Sequence, residues 1–318
     1  SSQFFMGVHR PIITMYAAIA AQVVNVGCNY VLIFGHFGFP QLGIRGAAWG
    51  TFIGMAVETC IHMWMFIGSD INEKFHTRSG LKPDLIIMKD LLKVGMPAGF
   101  GLMINISLWA MILLGLVSRF GKEALAATSA VFSCINISVM PIVGIGTALT
   151  AAVGKAIGEG RSDIAKKQTR ICLKVGLIYM GLVGLCFFVF RDSLMEMWST
   201  DSKVIDIGVK ILVCAAIFQV FDAATIIYNG SLRGAGDTVW MAAMSAIGAI
   251  VILGGVGWII LYYFEELGPI GPWIAATINI IAVGIANRWR FKSGKWKEIN
   301  LFKRRATGVA VEVEAVIE

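Results

Sequence analysis

The chain has 318 residues, of which 57% are hydrophobic and only 15% charged, with a formal net charge of +7 and a mean hydropathy of +0.75. So few charges cannot cover the surface of a water-soluble domain, so lipid is the expected principal solvent. The basic excess needs no nucleic-acid partner once its placement along the chain is read.

A bilayer-spanning helix needs about 20 mostly apolar residues, because a rise of about 1.5 Å per residue must cross roughly 30 Å of hydrocarbon. In chain order, such stretches run from Ile12 to Phe34, Ile44 to Ile67, Val94 to Val117 and Ala124 to Val153. They continue from Ile171 to Phe190, Ile207 to Gly230, Val239 to Tyr262 and Pro269 to Asn287. These runs are too long and too uniformly apolar for the alternating segments of about ten residues found in a β-barrel. The expected fold class is an all-α membrane protein of about eight transmembrane helices, with the lipid bilayer as its first partner.

Residues 1–68 hold the first two helices. The polar stretch 69–93, with Asn72, Glu73, Lys74, Arg78 and Lys82, is the expected cytoplasmic boundary between two helical bundles. Residues 94–290 form the second bundle, and 291–318 a basic tail. With the amino end placed inside, the outer side keeps only Arg45, Arg119, Lys122, Arg191, Lys203 and Lys210 of the 27 Lys and Arg. Both termini are therefore expected in the cytoplasm. Ser1 opens the chain without a signal-peptide pattern, so the sequence reads as a cut piece. The six cysteines lie within or beside apolar runs and form no CxxC pair, which argues against a disulfide or zinc framework.

Candidate polar positions appear along the helices in turn. Asn25 and Asn29 stand one turn apart with Gln22, and they either line a substrate cavity or bond helix to helix. Glu58 and His62, also four apart, read as a salt-bridged patch more readily than as a metal site. In the third helix Asn105 could ligate a cation or make an interhelical hydrogen bond, and Trp109 could line a cavity or face lipid. Ser129, Ser133 and Asn136 form a stripe on the fourth helix with the same two readings. Pro141, flanked by Gly144 and Gly146, removes a backbone hydrogen bond and marks a bend, either a hinge or a fixed kink.

Asp222 is the most informative residue. It lies mid-helix in an apolar run, where a charge costs roughly 2.5 to 3.5 kcal/mol on insertion scales. Gln219 and Asn229 share its helix, so one wall is expected to be polar. A proton and a metal ion would compete for the one carboxylate. A carboxyl group held by helix packing is the other reading. The glycine-containing turn from Arg233 to Asp237 lacks a preceding strand and a P-loop lysine, and so reads as a tight turn rather than a nucleotide site.

A weak internal repeat pairs Gly7, Leu42-Gly43 and Gly46 with Gly234, Leu267-Gly268 and Gly271, as in transporters built from duplicated bundles. The stretch Asn25-Val26-Gly27-Cys28-Asn29-Tyr30, with Gly35 to Gly43 and Gly46, resembles the fifth and sixth helices of the multidrug and toxic compound extrusion (MATE) transporters. Gly95-Met96-Pro97 resembles the start of their seventh helix, and Met140 to Gly146 the middle of the eighth. Gln219-Val220-Phe221-Asp222, followed by Gly230 to Thr238, is similar to the end of the tenth helix and its cytoplasmic turn. The resemblance implies a twelve-helix, two-bundle transporter whose first four helices are missing, so that the amino-terminal helices of the parent chain would be a partner of this one.

The resemblance further implies that Asp222 is a cation-site residue, with Gln219 beside it and possible Na+ binding there. Asn105 departs from the pattern, standing where the sodium-coupled branch carries a glutamate. The implied function is export of amphipathic, often cationic, organic compounds by antiport with Na+ or H+. No cofactor beyond that ion and no enzymatic activity are expected, and a bacterial inner membrane is the expected location. The rivals are a lipid-linked precursor flippase, which would want cavity arginines, and a membrane-embedded transferase, which would want clustered acidic or His residues at one membrane face.

Overall fold

The computed structural model describes residues 2–7, 10–68, 71–73, 85–108, 110 and 114–299. Among these, helix is the only regular secondary structure. In chain order the helices are α1 (Ser2–Gly7), α2 (Pro11–Phe34), α3 (Ile44–Ile67), α4 (Leu85–Leu108), α5 (Leu114–Val117) and α6 (Lys122–Gly158). They continue with α7 (Ser162–Val189), α8 (Arg191–Glu196), α9 (Ser202–Gly234), α10 (Thr238–Tyr263) and α11 (Ile270–Ser293).

Among the described residues seven of these are long and apolar enough to cross a membrane: α2, α3, α6, α7, α9, α10 and α11. The eighth expected span corresponds to α4, which carries the apolar run Gly95–Ile104 and begins at Leu85 rather than Val94. Several helices outrun the apolar stretches that announce them. The 37-residue α6 would be about 55 Å long at the usual rise, so its charged ends extend beyond the hydrocarbon.

The chain divides into two compact units, Ser1–Met88 and Lys89–Glu318. In the first, α2 packs along α3. Gly46, Gly50 and Gly54 recur every fourth residue on α3, and each meets α2: Leu32 at Gly46, Asn29 at Gly50, and Ala21 with Asn25 at Gly54. This is the small-residue seam by which membrane helices approach closely, since lipid offers no hydrophobic drive to bring them together.

In the second unit α9 is central, packing against α6, α7 and α11. Small residues again make this possible. A methyl group at Gly230 would lie 2.5 Å from the Gly146 carbonyl oxygen, and one at Gly234 would meet the Thr150 carbonyl at 2.5 Å. Thr150 Oγ1 also donates to the Gly230 carbonyl at 3.0 Å. One apolar cluster gathers Val131, Ile135, Leu212, Phe218 and Trp273. A second gathers Ile142, Leu149, Ile227, Leu232 and Trp296. Midway, α10 loosens into a π-helical stretch, Gly248–Val256, a departure from regular helix that often accompanies functional sites. Gly248 there packs on Asn279 of α11.

Candidate functional site

Between α6, α9, α10 and α11 lies a cavity of about 350 Å³. Apolar side chains including Phe132, Ile135, Phe218 and Trp273 form one part of its wall. Trp273 is fully buried, donates from Nε1 to Thr128 Oγ1 at 3.4 Å and stacks on Phe218 with ring centroids 6.3 Å apart. The other part is polar and comes from all four helices: Asn136, Asp222, Thr225, Asn229, Ser245 and Asn279.

Asp222 is part-buried on this wall and forms no hydrogen bond or ion pair among the described residues. Two turns of α9 run down the wall from it. Thr225 is held by its own helix, donating to the Phe221 carbonyl at 3.1 Å, and reaches the Ile280 carbonyl at 3.4 Å. Asn229 Oδ1 accepts from Asn287 Nδ2 of α11 at 2.9 Å. Opposite, Asn279 is 4% exposed and its Oδ1 is buried without a hydrogen-bond partner.

An unpaired buried amide oxygen is costly in isolation, by about 1–3 kcal/mol. Here the oxygen packs against Gly248 of α10, while the residue shares the cavity lining with Asp222. No group of three His, Cys, Asp or Glu side chains converges among the described residues.

The structure distributes the sequence candidates unevenly. Asn136 joins Asp222 in the cavity, with Nδ2 donating back to the Phe132 carbonyl at 2.9 Å. Ser133 lies one turn away, bonded to the Ser129 carbonyl at 3.0 Å, and is not on the cavity wall. Gln219, expected beside Asp222, faces elsewhere: it is fully buried and its Nε2 donates to Ser138 Oγ of α6 at 2.7 Å. Tyr179 of α7 donates to the Ser138 carbonyl at 2.9 Å, so this network ties three helices together.

Asn25 and Asn29 bond to each other at 3.1 Å on the face of α2 that meets Gly50 and Gly54. His62 stacks on Phe5 at 5.7 Å instead of forming the expected ion pair with Glu58. Pro141 sits within an unbroken α6, on an exposed face shared with Gly144. The backbone of Asn105 belongs to α4, but its side chain lies outside the described residues, as does Trp109 altogether.

Asn279, Thr225 and Ser245 were not singled out from sequence. The signal available for Asn279 was the same as for Asp222, a polar side chain in the middle of an apolar helix. A single small polar residue is too common in membrane helices to stand out.

A family model described as MatE matches residues 97–259. The probable multidrug resistance protein NorM of Thermotoga maritima is 30% identical over 279 residues, which cover 86% of this chain and 58% of that protein. A NorM of Bacillus cereus is 31% identical over 268 residues, 84% of this chain and 59% of the relative. The chain thus spans less than two thirds of the curated relatives it matches. Among solved structures, a MATE crystal structure in the straight conformation superposes with a TM-score of 0.81 at 20% identity, over 93% of this chain and 65% of the other. An outward-facing multidrug resistance MATE family transporter superposes with a TM-score of 0.78 at 20% identity, over 90% and 63% respectively. These structures establish the likeness of fold.

Proposed function

The chain belongs to the MatE family, and from that premise we propose that it is the larger part of a secondary transporter that exports amphipathic, often cationic, organic compounds in exchange for inward-moving Na+ or H+. The observation that carries this reading is Asp222, a carboxylate without a partner among the described residues, facing a cavity rather than lipid. A charge is expensive at that depth, and it is retained where a cation or proton can compensate it.

Coupling requires that the ion bind one conformation better than another, since equal affinity shifts no equilibrium. Asp222 stands on α9 and the other helices of the cavity contribute Asn136, Ser245 and Asn279, so a rearrangement of α9 against them changes the polar groups around the carboxyl. Inward movement of one charge across 100 mV releases about 2.3 kcal/mol, a usable driving force. The proposed setting is a bacterial inner membrane with both ends of this chain in the cytoplasm, supported by the asymmetric distribution of Lys and Arg.

The flippase alternative is less well supported, because among the described residues no Arg or Lys lines the Asp222 cavity to meet a pyrophosphate. The test is dye efflux from vesicles containing the full-length protein, under Na+ and pH gradients imposed separately. Asp222→Asn should abolish acceleration by whichever gradient drives the wild type. Retention of full gradient-driven efflux would remove Asp222 from the mechanism.

A further inference from the structure

A second pocket, of about 280 Å³, is lined by a different set of side chains of the same bundle. Lys166, Thr169 and Arg170 stand on one face of α7, and Phe291 and Lys292 come from the end of α11. Tyr228 of α9 lines it between them. This tyrosine is 6% exposed, yet its hydroxyl makes no hydrogen bond among the described residues.

Among the described residues no carboxylate lines the pocket. Lys155, Arg191, Lys210 and Arg290 all have acidic partners, whereas among the described residues Lys166, Arg170 and Lys292 have none. The chain beyond α11 adds a further cation. Gly294 takes a left-handed conformation, with φ of 74°, and turns the backbone so that Trp296 stacks on Phe291 at 5.1 Å. Trp296 Nε1 donates to the Phe291 carbonyl at 2.7 Å. That fold-back brings Lys297 against Lys166. Two ammonium groups held together repel each other, and an anion between them removes the repulsion.

The pocket also sits at a definite depth. On α7 the uninterrupted apolar run begins at Val175, just after Lys174, with Ile171 and Val175 exposed, and on α11 Ile285 and Trp289 are exposed. Exposed tryptophan and basic residues at the end of an apolar span mark the headgroup layer of a bilayer.

We propose that this pocket binds the phosphate of an anionic phospholipid headgroup, with Lys166, Arg170, Lys292 and Lys297 neutralising the charge, Tyr228 donating its hydroxyl to a phosphate oxygen, and the exposed apolar flanks of α7 and α11 receiving the acyl chains. Basic pockets between transmembrane helices recognise lipid headgroups through this chemistry. The following residue, Asn229, lines the Asp222 cavity. A lipid held on Tyr228 therefore rests on a neighbouring face of the helix that carries the proposed ion site.

The full-length protein, purified in a neutral detergent, is titrated with phosphatidylglycerol, phosphatidylcholine or inorganic phosphate and read by native mass spectrometry. The expected result is one saturable phosphatidylglycerol, bound at least tenfold more tightly than either of the others. Arg170→Gln with Lys292→Gln should weaken it by about fivefold per removed charge, and Tyr228→Phe by a smaller factor, with the melting temperature unchanged. Equal binding of phosphatidylcholine, unchanged affinity in the charge variants, or phosphate binding as tightly as the lipid would each overturn the assignment.

Discussion

Arg290 of α11 grips Asp237, the residue just before α10, through Nε to Oδ2 at 2.7 Å and a terminal nitrogen to Oδ1 at 3.4 Å. The Asp237 side chain is 5% exposed and that of Arg290 18%. The guanidinium also lies 5.0 Å from the Trp240 ring centroid, a distance at which cation–π attraction operates. The pair fixes the turn between α9 and α10 against α11, and so holds three walls of the Asp222 cavity in register at one end.

Removing one member of a buried pair strands the other. Asp237→Ala is expected to destabilise the protein by about 3 kcal/mol, the lower part of the range for broken buried pairs because Arg290 is only partly buried. Thermal unfolding in detergent measures this. Asp237→Glu, which keeps the charge, should lose less. An unaltered melting temperature in the alanine variant would show that the pair contributes nothing.

The Gly146–Gly230 contact predicts a sharp positional contrast. Gly230→Ala places a methyl 2.5 Å from a backbone carbonyl that cannot swing aside, so the helices must separate at a cost of about 1–3 kcal/mol. Gly158→Ala, also in α6, meets nothing within 4 Å and should be neutral or slightly stabilising. Expression level and melting temperature of the two variants should therefore diverge, and equal behaviour would contradict the close approach.

Gln219 separates stability from coupling. It is absent from the cavity wall and bonded to Ser138, so Gln219→Leu should lower stability by about 1 kcal/mol while leaving the ion dependence of efflux intact. Ser138→Ala should cost more, about 1–3 kcal/mol, by leaving the buried Gln219 amide unpaired. The double variant should fall short of the sum, because both changes remove one shared bond. A shifted ion preference in Gln219→Leu would return this residue to the coupling site.

The contrast between Gln219 and Asp222 also shows where sequence reading stops. Helix existence was legible because about 20 consecutive apolar residues have few other uses, and Asp222 was legible because a charge in such a run needs a reason. Which way Gln219 points was not. Three residues along a helix leave a rotation of about 60° between side chains, enough to send one to α6 and the other to a cavity. The Asn25 and Asn29 pair illustrates the same limit: their mutual bond and the glycines opposite them belong to the packing of α2 on α3, and spacing alone treats packing and cavity lining alike. Asn279 was hidden for a different reason, since its significance comes from an α9 residue more than fifty positions away in the chain.

Asn279 gives the most direct test of the ion site. It lines the cavity together with Asp222, and its Oδ1 is buried without a hydrogen-bond partner among the described residues. Replacing Asn279 by Leu keeps the branched outline of the side chain, removes the amide oxygen and, if that oxygen contacts the ion, withdraws one charge-assisted contact of about 1.5–3 kcal/mol. In gradient-driven efflux by the full-length protein, the Na+ concentration for half-maximal rate should rise at least about tenfold if Na+ is the coupling ion. If protons drive transport, the Na+ response is absent from the start and Asn279→Leu should instead move the pH profile. Stability should not fall, because an apolar side chain is better tolerated than an unpaired amide at that depth. A variant with wild-type ion and pH dependence would place the coupling ion away from Asn279, and the Asp222 carboxyl would then need other ligands.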